Sequence, residues 1–419
     1  MSYCAGKTKN QEKRWFKCST LYSLMIALGL MMTSCTSPSS AGRQVTRPPK
    51  TIEAEITPAV TQTVIEVTHT PASTPTTEPV EETSLPFIEI DELMNELVNQ
   101  APLAGIALGV QYKEASYTQG YGLADIAGGA PVTAQTVFKI ASLTKAITAA
   151  AILRLSEEGR ISLDDPISSF IPETPTIAKE IRVRHLLNHT SGLPDWSINK
   201  APEALPENFT TAQAVEYYFS TVLQLEFEPG EAWSYSNIGY FLLGAIIENV
   251  SGMRYAEYFQ ANFFEPLALH SFKECSPQVD ALAVGYHLEN KQFEIAPSSD
   301  LRLAGAAAGL CGHVADLLTW QIALTHAKVI PSELWVQMIT PDQLSDGRFL
   351  DYGFGVSVQE TAQGSAIMHE GATAGFNSFF IYYPQHDLNI VLLTNTDGPF
   401  DSHLRAMSYL VAEKVLQTP

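Results

Sequence analysis

The chain has 419 residues, 45% hydrophobic and 17% charged, which is enough apolar material for one large core or two modest domains. Its formal net charge of −20 argues against a nucleic-acid backbone as partner, because binding there rewards the opposite sign. Five cysteines and ten histidines show no metal-ligand spacing, so neither a metal nor another cofactor is expected.

In chain order, "KTKNQEKRWFK" forms a basic head and "LYSLMIALGLMMTS" an apolar run too short for an ordinary spanning helix. Residues 1–34 therefore read as a signal peptide, with an uncleaved anchor as the alternative. The sequence "MMTSC" resembles a bacterial lipobox, which makes Cys35 the candidate lipidation site. Residues 35–85 are rich in Thr, Pro, Ser and Glu and read as a disordered tether. The expected mature protein is extracytoplasmic, held in a bacterial envelope through an N-terminal lipid, or secreted. Cys4 and Cys18 leave with the signal, so Cys275 and Cys311 remain in the folded part. They either pair with each other or stay as two buried thiols.

Residues 86–419 read as one folded region. "IDELMNELVNQ" (90–100) has helical spacing. "GIALGVQYK" and "ASYTQGYGLAD" read as strands joined by a turn at Lys113–Glu114. Helices are expected at 144–159, 183–188, 211–223, 238–250, 255–264 and 314–327. "SFFIYYPQ" and "LNIVLLTNT" are two further strands, and "SHLRAMSYLVAEKVL" closes the chain as a helix. Strands from both ends and helices from the middle predict an α/β (α+β) fold. It would have an antiparallel sheet flanked by helices and a helical insertion, with the natural site in the groove between them.

Three short segments carry possible chemistry. In "VFKIASLTKAITAAAILRLSEEG", Ser142 stands where a β-like run meets a helical one, and Lys145 lies one turn on, on the same face. A buried amine there has a lowered pKa and can accept a proton. The alternative is an ordinary N-cap serine beside a solvated lysine. Ser-x-x-Lys occurs by chance about once or twice in a chain of this length. The second match, "SINK" (197–200), sits in a Pro-, Asp- and Asn-containing loop and is given no role. Tyr235-Ser236-Asn237 precedes an apolar helix, where Tyr235 could carry a proton and Asn237 could hold Lys145 and a substrate carbonyl. The alternative is a cap residue. His369-Glu370-Gly371 ends a short strand, and Gly371 permits close backbone approach, unless the segment is only a hairpin with an exposed histidine.

In order, Ser142-Leu143-Thr144-Lys145, Tyr235-Ser236-Asn237 and His369-Glu370-Gly371 resemble the three motifs of the serine β-lactamase and penicillin-binding-protein superfamily. The version is that of class C β-lactamases, D-peptidases and related esterases. "VRHLLNHTSGLP", "PGEAWSYSNIGYFLLG", "AAGLCGHVADLLTW" and "HEGATAGFNS" are similar to the family as well. The resemblance covers roughly residues 88–415. It implies a β-lactamase/transpeptidase-like fold and a serine hydrolase acting on an ester, an amide or a D-amino-acid peptide. Ser142 would be the nucleophile, with Lys145 and Tyr235 as proton carriers and Asn237 and His369 orienting substrate. The N–H groups of Ser142 and Ala372 would form the oxyanion hole. True class C β-lactamases carry Lys-Thr-Gly where this chain has His-Glu-Gly, which implies esterase or peptidase activity over β-lactam hydrolysis. A catalytically inactive cell-wall or β-lactam sensor on the same fold is the alternative, but it has no need of Ser142, Lys145 and Tyr235 together.

Overall fold

The computed structural model describes residues 86–195, 205–206, 208–297, 301–398 and 401–417. The expected signal peptide, Cys35, the 35–85 tether and the "SINK" serine lie outside the described residues.

The architecture is built on one seven-stranded sheet. Its order is Ala130–Pro131, Ala115–Asp125, Gly105–Tyr112, Leu388–Thr394, Phe376–Tyr383, Gly364–Thr373, Ser357–Thr361. All pairings in it are antiparallel, and the join between N-terminal and C-terminal strands sets Ile106 opposite Thr394 and Tyr112 opposite Leu388.

Both faces of this sheet are covered, so its central strands read as unbroken apolar runs. Alternation along a strand sends neighbours to opposite faces. Ile106, Leu108, Val110, Phe379, Ile381, Ile390 and Leu392 pack with Ile90 and Met94 of the Phe87–Gln100 helix and Leu404, Met407 and Val411 of Asp401–Leu416. Ala107, Phe380, Val391 and Leu393 belong to the other, larger core, with the Thr144–Glu157 and Val314–Thr325 helices. Burial of each large apolar side chain contributes about 1.5–3 kcal/mol before chain entropy is set against it.

The Thr144–Glu157 helix lies at the centre of that larger core. Ala146, Ile147, Ala149, Ala150, Ala151, Ile152 and Leu153 are all buried, so the helix is enclosed on every side through most of its length. It ends at Gly159, which holds a left-handed φ of 69° that a side chain would resist.

Several local expectations need correcting. The 255–264 helix is α-helical only over Tyr255–Phe259 and continues as a π turn over Gln260–Phe264. The middle of the chain also contains strands, namely the Tyr286–Glu289 and Gln292–Ile295 hairpin and the short Leu310–His313 strand. His369 does not end a short strand, because that strand runs on to Thr373. Of the two expectations for Cys275 and Cys311, the structure has the pair: they are joined in a disulfide.

Candidate active site

The site begins where the Val137–Lys139 strand passes through a tight turn at Ala141–Leu143 into the central helix. Ala141 carries a φ of 47°, a region costly for any residue with a side chain. The strain lies one residue before Ser142, which stays partly exposed while both its neighbours are buried. Thr144 Oγ1 donates to Ala141 O at 2.7 Å and locks the turn.

One turn into the helix, Lys145 is fully buried. Its Nζ donates to Ser142 Oγ at 3.2 Å, Asn237 Oδ1 at 2.9 Å and Ala307 O at 3.0 Å. Burial drives its pKa down to about 7, against a smaller upward pull from the Asp195 carboxylate. Near neutral pH the amine can therefore give up its proton, and none of its three partners is a carboxylate that would hold it charged.

Asn237 is the first residue of the Asn237–Ser251 helix, and the cap is Ser236, whose Oγ accepts from Gly239 N. The reason Asn237 faces Lys145 lies in Asp195. That carboxylate accepts from Asn237 N at 2.8 Å, Ile238 N at 3.1 Å and Asn237 Nδ2 at 3.2 Å. A carboxylate only accepts, so the amide nitrogen turns to it and the amide oxygen is left for Lys145.

Tyr235 completes the group. Its phenol feels the Ser142 side chain, and its ring centroid lies 4.8 Å from Lys145 Nζ. Burial holds its pKa well above the usual tyrosine value, so the phenol stays protonated at neutral pH.

The third motif lies across from the Ser142 turn. A Cβ on Gly371 would stand 2.3 Å from Ser378 Oγ, 2.7 Å from Ile140 O and 3.1 Å from Ser142 N, so only glycine lets this strand lie against the turn. Ala372 follows it and is exposed. His369 is buried, with Nδ1 2.6 Å from Glu370 O and Nε2 2.8 Å from the Tyr352 hydroxyl. Because a carbonyl only accepts, Nδ1 carries the proton and Tyr352 donates to Nε2. Both ring nitrogens are thus engaged inside the protein. Burial, helped by the nearby Lys145, lowers the pKa of His369 to about 3, which keeps it neutral.

A cavity of about 210 Å³ opens beside this group, lined by Trp233, Tyr235, Tyr352, His369, Glu370 and Arg405. Arg405 donates through Nε to Glu370 Oε1 at 2.8 Å, with a second bond from Nη2 to the same oxygen, and through Nη1 to Gln359 Oε1 at 3.3 Å. Trp233, Tyr352 and Ser357 also border a larger groove of about 480 Å³ that runs out past Phe349. Among the described residues, no cluster of His, Cys, Asp or Glu could hold a metal ion.

The structure thus brings all three sequence motifs to one place. Asp195 and Ala307 O were missed. Asp195 lies in the Pro-Asp loop after "HTSGLP", and a backbone carbonyl gives no sequence signal.

A seven-stranded antiparallel sheet against a helical layer, with Ser-x-x-Lys at the head of a buried central helix, defines the serine β-lactamase and penicillin-binding-protein superfamily. The Beta-lactamase family model matches residues 90–414, and the chain belongs to that family. It is 28% identical over 331 residues to penicillin-binding protein 4* of Bacillus subtilis strain 168, covering 74% of this chain and 71% of that one. It is 30% identical over 214 residues to esterase EstB of Burkholderia gladioli, covering 47% of this chain and 54% of that one. Among solved structures, the octameric penicillin-binding protein homologue from Pyrococcus abyssi superposes with a TM-score of 0.67 at 25% identity, covering 78% of this chain and 77% of that one.

Proposed function

We propose that the protein is a serine hydrolase that forms an acyl-Ser142 intermediate on uncharged esters or amides, D-amino-acid peptides among them. The observation that carries this reading is Lys145: a buried amine with a pKa near 7, 3.2 Å from a partly exposed serine hydroxyl. The Ser142 proton passes to neutral Lys145 as Oγ attacks the carbonyl. Tyr235, whose ring lies beside Lys145, returns a proton to the leaving group and is reprotonated from Lys145. Water then repeats the sequence in reverse roles and releases the acid. The Ser142 and Ala372 N–H groups are the proposed oxyanion donors, each worth on the order of 10²–10³ in rate where such donors have been removed. Asn237 holds Lys145 in place.

Uncharged substrates are favoured because, among the described residues, the cavity lining offers no free cation. His369 is neutral, and Arg405 is engaged by Glu370 and Gln359. Similarity to esterase EstB supports the ester side of the reading. A fluorophosphonate or fluorescent penicillin should label the wild type and not Ser142→Ala, and p-nitrophenyl acetate should be turned over. Absence of both labelling and turnover would sink the proposal.

The same proposal places the enzyme in a bacterial envelope, tethered through Cys35. The support is the basic head, the apolar run and the lipobox-like "MMTSC". Cys35→Ala should leave the protein unprocessed or release it from the membrane fraction. Unchanged processing and detergent extraction would count against lipidation.

A further inference from the structure

"HTSG" (189–192) is not used by the chemistry above, yet it runs beside the Tyr235 turn. Thr190 O accepts from Gly230 N at 2.8 Å, and Gly192 O accepts from Glu226 N at 2.8 Å. His189 makes the closest engagement. Its carbonyl accepts from Ser234 N at 3.0 Å, and its Nδ1 accepts from Ser236 N at 3.1 Å. The residues on either side of Tyr235 are therefore both held by one histidine.

Two further features point the same way. The imidazole is 1% exposed and lies 4.4 Å, centroid to centroid, from the Tyr235 ring, with the Tyr352 ring at 4.8 Å and the Tyr240 ring at 5.2 Å. His189 also holds a left-handed φ of 62°. That conformation is uncommon for a residue with a side chain, and here it lets the carbonyl and Nδ1 reach the same stretch of chain. Because Nδ1 accepts, Nε2 carries the proton. Nε2 is buried without a hydrogen-bond partner among the described residues, on a ring packed against Tyr235, Tyr240 and Tyr352. A residue kept only for packing would not leave a buried N–H unpaired, a cost of about 1–3 kcal/mol.

We infer that His189 is the positioning residue for Tyr235: it clamps the backbone at 234 and 236 and packs its ring, tilted, against the tyrosine ring, holding the phenol beside Ser142 and Lys145. The inference rests on the hydrolase reading. It says that a residue touching neither substrate nor Ser142 controls the chemical step through Tyr235.

The test is a double-mutant cycle on p-nitrophenyl acetate. His189→Ala should lower kcat by about 100-fold, the scale of a misplaced acid–base group, with KM within about threefold. His189→Asn keeps an acceptor for Ser236 N and tolerates a left-handed φ, so it should recover at least about tenfold of that loss. In a Tyr235→Phe background, His189→Ala should cost less than about threefold more, because the clamp has nothing left to position. If His189→Ala does not fold, His189→Gly removes the same acceptor without backbone strain and takes its place. Multiplying losses in the cycle, or a folded His189 variant without the acceptor and with wild-type kcat, would overturn the clamp alone. A wild-type protein that neither labels nor turns over would overturn the hydrolase reading and the clamp with it.

Discussion

Lys145 Nζ and Asn237 Oδ1 lie 2.9 Å apart, and Asp195 is what makes that contact possible, because it takes the other end of the amide and leaves the oxygen for the amine. The consequence is electrostatic as well as geometric. The Asp195 charge favours the ammonium form of Lys145, while burial disfavours it and wins.

Acyl transfer should therefore depend on pH through Lys145. The neutral amine is the base, so kcat/KM should rise with pH along a limb near 7. Asp195→Asn removes the charge that favours the ammonium, so the limb should move to lower pH. A pH profile on a neutral ester measures both, and a limb that stays in place in Asp195→Asn would contradict the assignment.

Ser142, Lys145 and Tyr235 should behave as one unit. Each single replacement should reduce turnover by several orders of magnitude, and a second should add little to the first. Lys200→Ala should leave turnover intact, because "SINK" stands in a Pro-, Asp- and Asn-containing stretch and not at the head of an apolar-periodic run. Loss on Lys200→Ala with activity kept in Lys145→Ala would reverse the choice of serine.

Substrate charge should be set at Glu370 and His369. Glu370 ties up Arg405, the guanidinium lining the cavity. Glu370→Gln should loosen that hold and raise kcat/KM for an ester with a carboxylate on its leaving group relative to its neutral analogue. His369→Lys should shift preference in the same direction by introducing a cation. Paired assays on the two esters report the ratio. Efficient nitrocefin turnover by the unaltered protein, with negligible ester hydrolysis, would refute the preference for uncharged substrates.

The three motifs were legible in the sequence because each is short and polar within an apolar frame. Ser142 precedes an alanine-rich helix, Tyr235 and Asn237 precede another, and Gly371 has no side chain where two segments touch. The supporting contacts were not legible, because they join distant parts of the chain. Asp195 reaches Asn237 across 42 residues and Arg405 reaches Glu370 across 35. The sheet was readable from its apolar runs, but the Tyr286–Ile295 hairpin was not. Its strands are four residues each, and its turn at Asn290 and Lys291 uses two left-handed residues without a glycine to announce it. A turn signal was present in Asn290, flanked by alternating residues, but it was weak.

The Cys275–Cys311 disulfide should contribute stability more than chemistry. It closes a separation of 36 residues, which the chain-entropy model values at roughly 3–4 kcal/mol. Cys311 also lies on the strand that pairs with Lys139, three residues before Ser142. Reduction should therefore lower Tm, while the folded, reduced protein keeps Ser142 labelling. Two freely alkylated thiols in the native, unreduced protein would rule out the bond.

Acid should destabilise the fold through two buried histidines, His189 and His369, and the half-buried His185. Burial lowers His369 to about 3 and His185 to about 4, and takes His189 well below its usual value. In each case the folded pKa lies below the unfolded value of about 6.5, so below that pH the unfolded chain binds more protons. Their contribution is fully present above about 6.5 and is lost as pH falls toward the folded values. Each histidine adds up to about 1.4 kcal/mol per pH unit to the slope over that window. Urea unfolding at pH 7, 6 and 5 should show the decline, and His369→Gln, which cannot titrate, should flatten it by one histidine. A slope unchanged in His369→Gln would mean that the imidazole is not held neutral by the fold.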